Sequence, residues 1–370
     1  MKKHVLISGA SIAGLSTAWW MNELGYAVTV VEAAPAPRIG GTAVDLRGNT
    51  LAVIERMGLF DQVSANKLRL ERIEFKNAAD VTEKSMVVRD GTTPDPADAD
   101  IEIERTRLVG LLSEHLHGEV EMVFGDSLAA LTETSDAITA TFKRGAPRSF
   151  DLVFGCDGLH STTRRLWFGD EARFATFLGA YSSITIVDQS LIAPNTLQMF
   201  NVPGKMIMLN AYQGKTDVVF CFLADRELPY DYRDADQQRR IVAEQFAGVG
   251  WRAPELLAAV AATSNFYFDK FCQIKMPAWT KGRVALVGDA AYCASPAAGM
   301  GGALAMDGAA AVADALRAHG GDFEAAFHAY DRGLRAFIDE VQATAELHLK
   351  ENFIPRTEAA ILKRNAQPGF

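Results

Sequence analysis

His4-Val5-Leu6-Ile7-Ser8-Gly9-Ala10-Ser11-Ile12-Ala13-Gly14, continued through Leu15 to Leu24 and closed by Val28-Thr29-Val30-Val31-Glu32, decides the fold. An apolar β-branched run, a glycine turn, a helix-period segment and a second apolar run ending in an acid read as strand, turn, helix, strand. In this βαβ unit Gly9 makes the tight turn and Gly14 lets the helix approach the strand. Ile12 and Ala13 open the helix, whose N-terminal amides are offered to a pyrophosphate. Glu32 lies eighteen residues past Gly14, where an acid accepts hydrogen bonds from an adenosine ribose. Ser11 stands at the middle glycine of the G-x-G-x-x-G pattern, so the pattern predicts a dinucleotide without choosing one.

The rest of the chain is sized for such a unit plus a second lobe: 370 residues, 49% hydrophobic and 22% charged. A net charge of −9 argues against nucleic acid or an anionic membrane as an obligatory partner. No apolar run reaches membrane-spanning length, and Met1-Lys2-Lys3 leads directly into a strand that the fold needs, so a cleaved signal is not expected. Cys156, Cys221, Cys272 and Cys293 form no C-x-x-C pair; free thiols in a reducing cytoplasm, with no metal site, are the expectation.

Beyond Glu32 a Pro/Gly loop carries Arg38, and Asp45 and Arg47 follow the glycine pair, close enough to a cofactor turn to touch it. Strands are predicted over 68–75 and 85–89, an acidic loop over 90–100, and a short strand over 101–105 whose Arg105 opens a helix toward a neighbouring ligand. Residues 120–124, 127–132 and 137–142 read as an antiparallel meander. The apolar run 151–156 reads as a buried strand with Asp157 at its carboxyl end. From 174 to 268 strands dominate, with a hairpin over 205–224, and strand alternation points Gln198, Tyr212, Phe220 and Phe222 inward. The first style then returns: a buried strand ends in Gly288-Asp289, a small-residue loop runs through Pro296 to Gly301, and helical patterns cover 303–318 and 323–351.

Three strand ends therefore serve one long ligand: residues 9–14, Asp157-Gly158 and Gly288-Asp289 with its loop. Together with D-G-x-x-S-x-x-R over Asp157 to Arg164 and G-D-A-A…P-x-x-G-x-G over Gly288 to Gly301, the chain resembles the group A flavoprotein monooxygenases, similar in plan to p-hydroxybenzoate hydroxylase. Gly40 to Gly48 and Phe266 to Arg283 look further like the tetracycline-inactivating flavin monooxygenases, which raises antibiotic resistance as a role. The resemblance implies an α/β fold: a discontinuous Rossmann-like FAD-binding domain (1–70, 99–174, 272–345), an inserted α+β substrate domain (71–98, 175–271) and a C-terminal helical tail (346–370). It implies FAD, with NADPH or NADH as a transient co-substrate. O2 would react through a C4a-hydroperoxide to hydroxylate an aromatic or polycyclic molecule. Residues 9–14 would lie on the pyrophosphate, Glu32 on the ribose, and Arg105 and Asp157 near the cofactor. Asp289 would hold the ribityl or pyrophosphate part. The loop of Pro296, Gly299, Met300 and Gly301 would lie along the isoalloxazine. Asp45 and Arg47 would sit beside the flavin, with Gln198 and Ala297 toward substrate.

The flavin does the chemistry in such a site, so no side-chain nucleophile is expected and His160 reads as structural. Tyr292, Met300 and Ala303 replace a histidine, a glutamine and an asparagine of the family pattern, at positions expected to lie nearest the flavin and its substrate face. On that ground an oxidoreductase without oxygen insertion, or a flavin-binding protein with little turnover, stands as an alternative.

Overall fold

The computed structural model describes residues 2–37, 40–88, 100–118 and 120–367. Arg38 and the loop 89–99 lie outside them. The opening stretch forms strand His4–Ser8, helix Ile12–Glu23 and strand Ala27–Glu32, and the two strands pair in parallel. They are the middle of a six-stranded sheet. On one side, Leu152–Gly155 and Val284–Leu286 add in parallel and Thr280–Lys281 closes the edge antiparallel. On the other side the edge is Val120–Phe124, parallel to Ala27–Glu32.

That edge corrects the expected meander. Val120–Phe124 belongs to the cofactor sheet, and only Leu128–Glu133, Ile138–Phe142 and Arg148–Phe150 form a three-stranded antiparallel sheet. Alternation cannot separate the two cases, because an edge strand of a parallel sheet is itself half-buried.

One face of the six-stranded sheet packs against the helices Ile12–Glu23, Gly301–Ala318 and Phe323–His348 in a continuous apolar core. The other face packs against the three-stranded sheet through Leu6, Val31, Leu128, Ile138, Phe150 and Val153. Small residues set the helix spacing. A Cβ on Gly302 would come 2.2 Å from Val44 Cγ1, and one on Gly308 would come 1.8 Å from the Tyr292 hydroxyl.

A seven-stranded sheet forms the second layer, in the order Phe266–Ile274, Ala175–Val187, Lys215–Leu223, Lys205–Tyr212, Thr196–Val202, Arg72–Lys76, Thr82–Val87. Its hairpin turns at Gln213 and Gly214, both at positive φ (48° and 80°), the conformation whose twist suits a two-residue connection. One face is covered by the helices Ala235–Phe246 and Ala253–Ala262 through Phe200, Phe220, Phe222, Phe246 and Leu256. The other face looks toward the cofactor layer: Phe75, Met199, Met206, Val219 and Phe271 pack with Ala297 of the small-residue loop and with Ala345, Leu349 and Ile354. The tail ends in helix Glu358–Ala366, whose Arg364 lies 5.0 Å over the Phe75 ring.

Candidate active site

The glycine turn has no spare volume. Gly9 sits at φ +106°, a Cβ there would come 2.4 Å from the Cys156 carbonyl oxygen, and a Cβ on Gly14 would come 1.8 Å from the Gly9 oxygen. Ser11 is the N-cap of the first helix but makes no side-chain capping bond; its hydroxyl instead accepts a 2.7 Å bond from Arg105 Nη2. The first-turn amides of Ile12 and Ala13 are therefore presented to a ligand, with a guanidinium beside them. Glu32 accepts from the amides of Ala10 (2.9 Å) and Ala34 (2.8 Å), one on each carboxylate oxygen. Each oxygen keeps a second lone pair for a hydroxyl donor.

Asp289 begins the short helix Asp289–Tyr292 just beyond Val284–Leu286. Its side chain is exposed. Desolvation raises its pKa and the charge of Arg105 opposes the rise. Gly288 packs on Ala13 and Ala305, with a Cβ there only 3.1 Å from the Ala13 Cβ, so the Gly-Asp turn, the glycine turn and the Gly301–Ala318 helix converge. Pro296–Ala298 is a single 3-10 turn ending in left-handed Gly299, and Met300 then serves as N-cap of the long helix without a side-chain capping bond. That helix start again offers free amides and a positive dipole end. Asp45 approaches the same loop: a Cβ on Gly299 would lie 3.8 Å from Asp45 Oδ2. Asp45 accepts a 2.8 Å bond from Arg47 Nη2, while Arg47 Nε makes no hydrogen bond among the described residues and lies 4.0 Å from Asp100 Oδ2. Gly40 and Gly41 complete the rim; a Cβ on Gly41 would strike the Arg105 side chain at 2.8 Å.

Asp157 has a different surrounding from the others. Its carboxylate accepts from Ser161 Oγ, from the Thr163 amide and hydroxyl (both 2.9 Å) and from Ser8 Oγ (3.3 Å). It braces the turn into helix Thr162–Trp167. Fully buried Arg164 ties that turn to the Asp289 helix by a 2.9 Å bond from Nη1 to the Ala290 carbonyl oxygen.

Three expected substrate residues face the wrong way. Gln198 pairs opposite Leu209 and bonds Glu74 Oε2 at 2.9 Å, which puts it on the helix-covered face; Phe220 and Phe222 are in the core under those helices. Alternation gives two faces but not which one meets the cofactor, and that choice decided all three. Ala297 does lie in the cluster between loop and sheet. Tyr212, on the register face of Met206 and Met208, is buried with its hydroxyl donating to Asp217 Oδ1 at 2.8 Å. The methionines Met199, Met206 and Met208, which the sequence did not single out, occupy the face toward the loop.

Tyr292 is also displaced from its expected place. It is buried between Trp279 (ring centroids 4.6 Å) and Tyr330 (hydroxyls 3.2 Å apart), under Gly308 and away from the cleft. Met300 is half-buried and Ala303 fully buried. A half-open pocket of about 400 Å3 beside Trp279 and Arg335 and another of about 210 Å3 beside Asn201 and Arg364 lie apart from the loop.

A family model described as "FAD binding domain" matches residues 2–341. An uncharacterized protein of Mycobacterium tuberculosis is 38% identical over 349 residues, covering 92% of each chain. A flavin-dependent monooxygenase of Legionella longbeachae is 30% identical over 358 residues, covering 96% of this chain and 91% of the relative. Among solved structures, tetracycline destructase Tet(51) superposes with a TM-score of 0.88 at 32% identity, covering 100% of this chain and 96% of the other. The crowded glycine turn, the uncapped helix starts and the buried Arg47 Nε suit a long anionic dinucleotide. With these matches, the chain belongs to the FAD-binding family of group A flavoprotein monooxygenases and is an oxidoreductase.

Proposed function

We propose that the protein uses NADPH or NADH and O2 to hydroxylate an aromatic or polycyclic small molecule, with tetracycline-like compounds as the first substrate class to test. The observation that carries this reading is the half-buried apolar rim of the loop-facing sheet, Ile184, Leu197 and Met208, beside Ala298 of the loop. A flat ring system lies well against such an apolar surface, and a flexible thioether such as that of Met208 adapts to its outline. The name of the Tet(51) neighbour supports the tetracycline choice.

Bound FAD would supply the redox chemistry, with two electrons from the nicotinamide, one oxygen atom of O2 going to substrate and the other leaving as water. The chain's part is binding and positioning. Residues 9–14 and Arg105 hold the pyrophosphate, Glu32 the adenosine ribose, and Asp289 the linking polyol. The amides at the start of the Gly301–Ala318 helix hold negative charge on the reduced ring. The Asp45–Arg47 pair orients the ring edge at Gly299, and the methionine face excludes water. The proposed domain division at 70/71 and 174/175 falls between strands of the two large sheets, that at 98/99 lies outside the described residues, and that at 271/272 falls inside strand Phe266–Ile274, which pairs with Ala175–Val187 along both halves. Four buried free thiols support a reducing cytoplasmic location, and no described helix is long and apolar enough to cross a membrane.

The test is a substrate screen on FAD-loaded protein with NADH and NADPH, read by cofactor oxidation and by mass spectrometry. The expected result is substrate-stimulated oxidation and a product heavier by one oxygen. Oxidation indifferent to every aromatic and tetracycline candidate, with no oxygenated product, would retire the hydroxylase reading.

A further inference from the structure

Tyr267 is 47% exposed, the only aromatic ring of the Phe266–Ile274 strand that is. The strand it stands on borders the cofactor layer at both ends. Asn265, just before it, closes on the Gly40 turn, where a Cβ would come 2.5 Å from Asn265 Oδ1. Ile274, at its far end, donates a 3.0 Å bond to the Cys293 carbonyl oxygen. Tyr267 shares a register face with Phe271, which packs in the loop-facing cluster, whereas Phe266 and Phe268 pack under the helices. Its ring is thus on the face turned toward the loop of Ala297 and the strand end that carries Asp289, and the groups that raise its phenol pKa, after burial and Asp269, include Cys293 and Asp289.

The ring is held from behind. Its hydroxyl donates to Asp269 Oδ2 at 3.1 Å, and the same oxygen receives a 3.1 Å bond from His160 Nε2 of the Asp-Gly turn. Tyr230 and the Lys270 amide bind the other oxygen. His160 Nδ1 in turn is 3.1 Å from Glu171 Oε1. A surface tyrosine with no task would not be fixed through a buried aspartate and a histidine shared between two sheets.

We infer that Tyr267 is a cofactor-contacting residue whose ring forms the wall of the FAD cleft opposite Asp289, with Asp269 and His160 as positioning residues. The inference rests on FAD binding and not on the identity of the substrate. An electron-rich phenol in contact with a flavin quenches its fluorescence by electron transfer to the excited ring, which gives a readout independent of turnover.

The experiment compares FAD affinity and bound-FAD fluorescence in the wild-type protein and in the variants Tyr267→Leu, Tyr267→Trp and Asp269→Asn. Tyr267→Leu is expected to brighten bound FAD and weaken its binding about fivefold, the loss of one aromatic contact. Tyr267→Trp, which keeps a quenching ring, is expected to restore both toward wild type. Asp269→Asn is expected to brighten FAD with Tyr267 still present, an effect that loss of fold stability alone does not produce in protein that retains FAD. Unchanged affinity and emission in Tyr267→Leu, or failure of Tyr267→Trp to restore quenching, would overturn the assignment. Wild-type protein that takes up no FAD would overturn the cofactor reading itself, before any variant is compared.

Discussion

At Asp289 an exposed carboxylate meets the charge of Arg105 and a side-chain hydrogen bond from Cys293, whereas Asp157 is held by four internal donors. The contrast separates two aspartates that look alike in sequence, each following a buried strand. Asp289→Ala is expected to weaken FAD binding about tenfold to a hundredfold, the loss of charge-assisted hydrogen bonds of roughly 1.5–3 kcal/mol. Asp157→Ala is expected instead to lower the melting temperature, because it releases Thr163 and Ser161 together. Titration with FAD and thermal melts on both variants check the pair; equal losses of FAD affinity with no change in melting would reverse the assignment. Gly14→Ala tests the turn more severely. With 1.8 Å between the added carbon and the Gly9 oxygen, the strand and helix must separate, at a cost of at least about 2 kcal/mol, and FAD retention should be lost with it.

Among elements, the Gly301–Ala318 helix shows what could and could not be read from the chain. Its small residues predicted close packing, and Gly302 on Val44 and Gly308 on Tyr292 show where that closeness is used. The partner was misplaced: Tyr292, expected at the flavin, fills the notch that Gly308 leaves. Local pattern gave the turn at residues 9–14 and the strand-end positions of Glu32 and Asp289, because glycine spacing and a closing acid mark the end of a strand in the sequence itself. It did not give the orientation of Gln198, Phe220 and Phe222, which depends on which face of a two-sided sheet the cofactor layer covers. Nor did it separate Val120–Phe124 from the antiparallel sheet, since pairing partners are chosen by tertiary packing. The helix supplies its own test. Gly308→Ala should destabilise the fold by about 1–3 kcal/mol through overpacking. Adding Tyr292→Phe, which removes the clashing hydroxyl, should recover part of that loss. Chemical denaturation of the two single variants and the double variant measures the coupling, and strict additivity would show that the two residues do not meet.

Across the whole molecule, the joint between the two large sheets passes through His160, and this makes its strength depend on pH. Burial acts to lower the His160 pKa, but hydrogen bonds to Asp269 and Glu171 and the charges of both outweigh it and push the value up to about 9 from an ordinary 6.5. Arg164, Lys270, Tyr230 and Tyr267 also border this network, and Tyr232 stacks on the imidazole at 5.1 Å. The folded protein therefore holds a proton on His160 that the unfolded chain gives up near pH 6.5. Stability from this source is fully present below pH 6.5 and is lost as pH rises through about 9. Asp217 has a separate window. Burial, reinforced by Glu104 and Glu102, raises it to about 7 from 3.8, so its contribution disappears between about pH 4 and 7. Asp269 and Glu171 act in the opposite direction: burial would raise their pKa values, but the bonds from His160 hold both below the ordinary range. Their contribution is present above pH 4 and lost only in acid. His160→Gln should accordingly flatten the fall in stability between pH 6.5 and 9, by about 1–3 kcal/mol over the window, and leave the slope assigned to Asp217 below pH 7 in place. Denaturation midpoints across that range decide it. A variant that keeps the wild-type alkaline slope would show that the two sheets are not joined through this imidazolium.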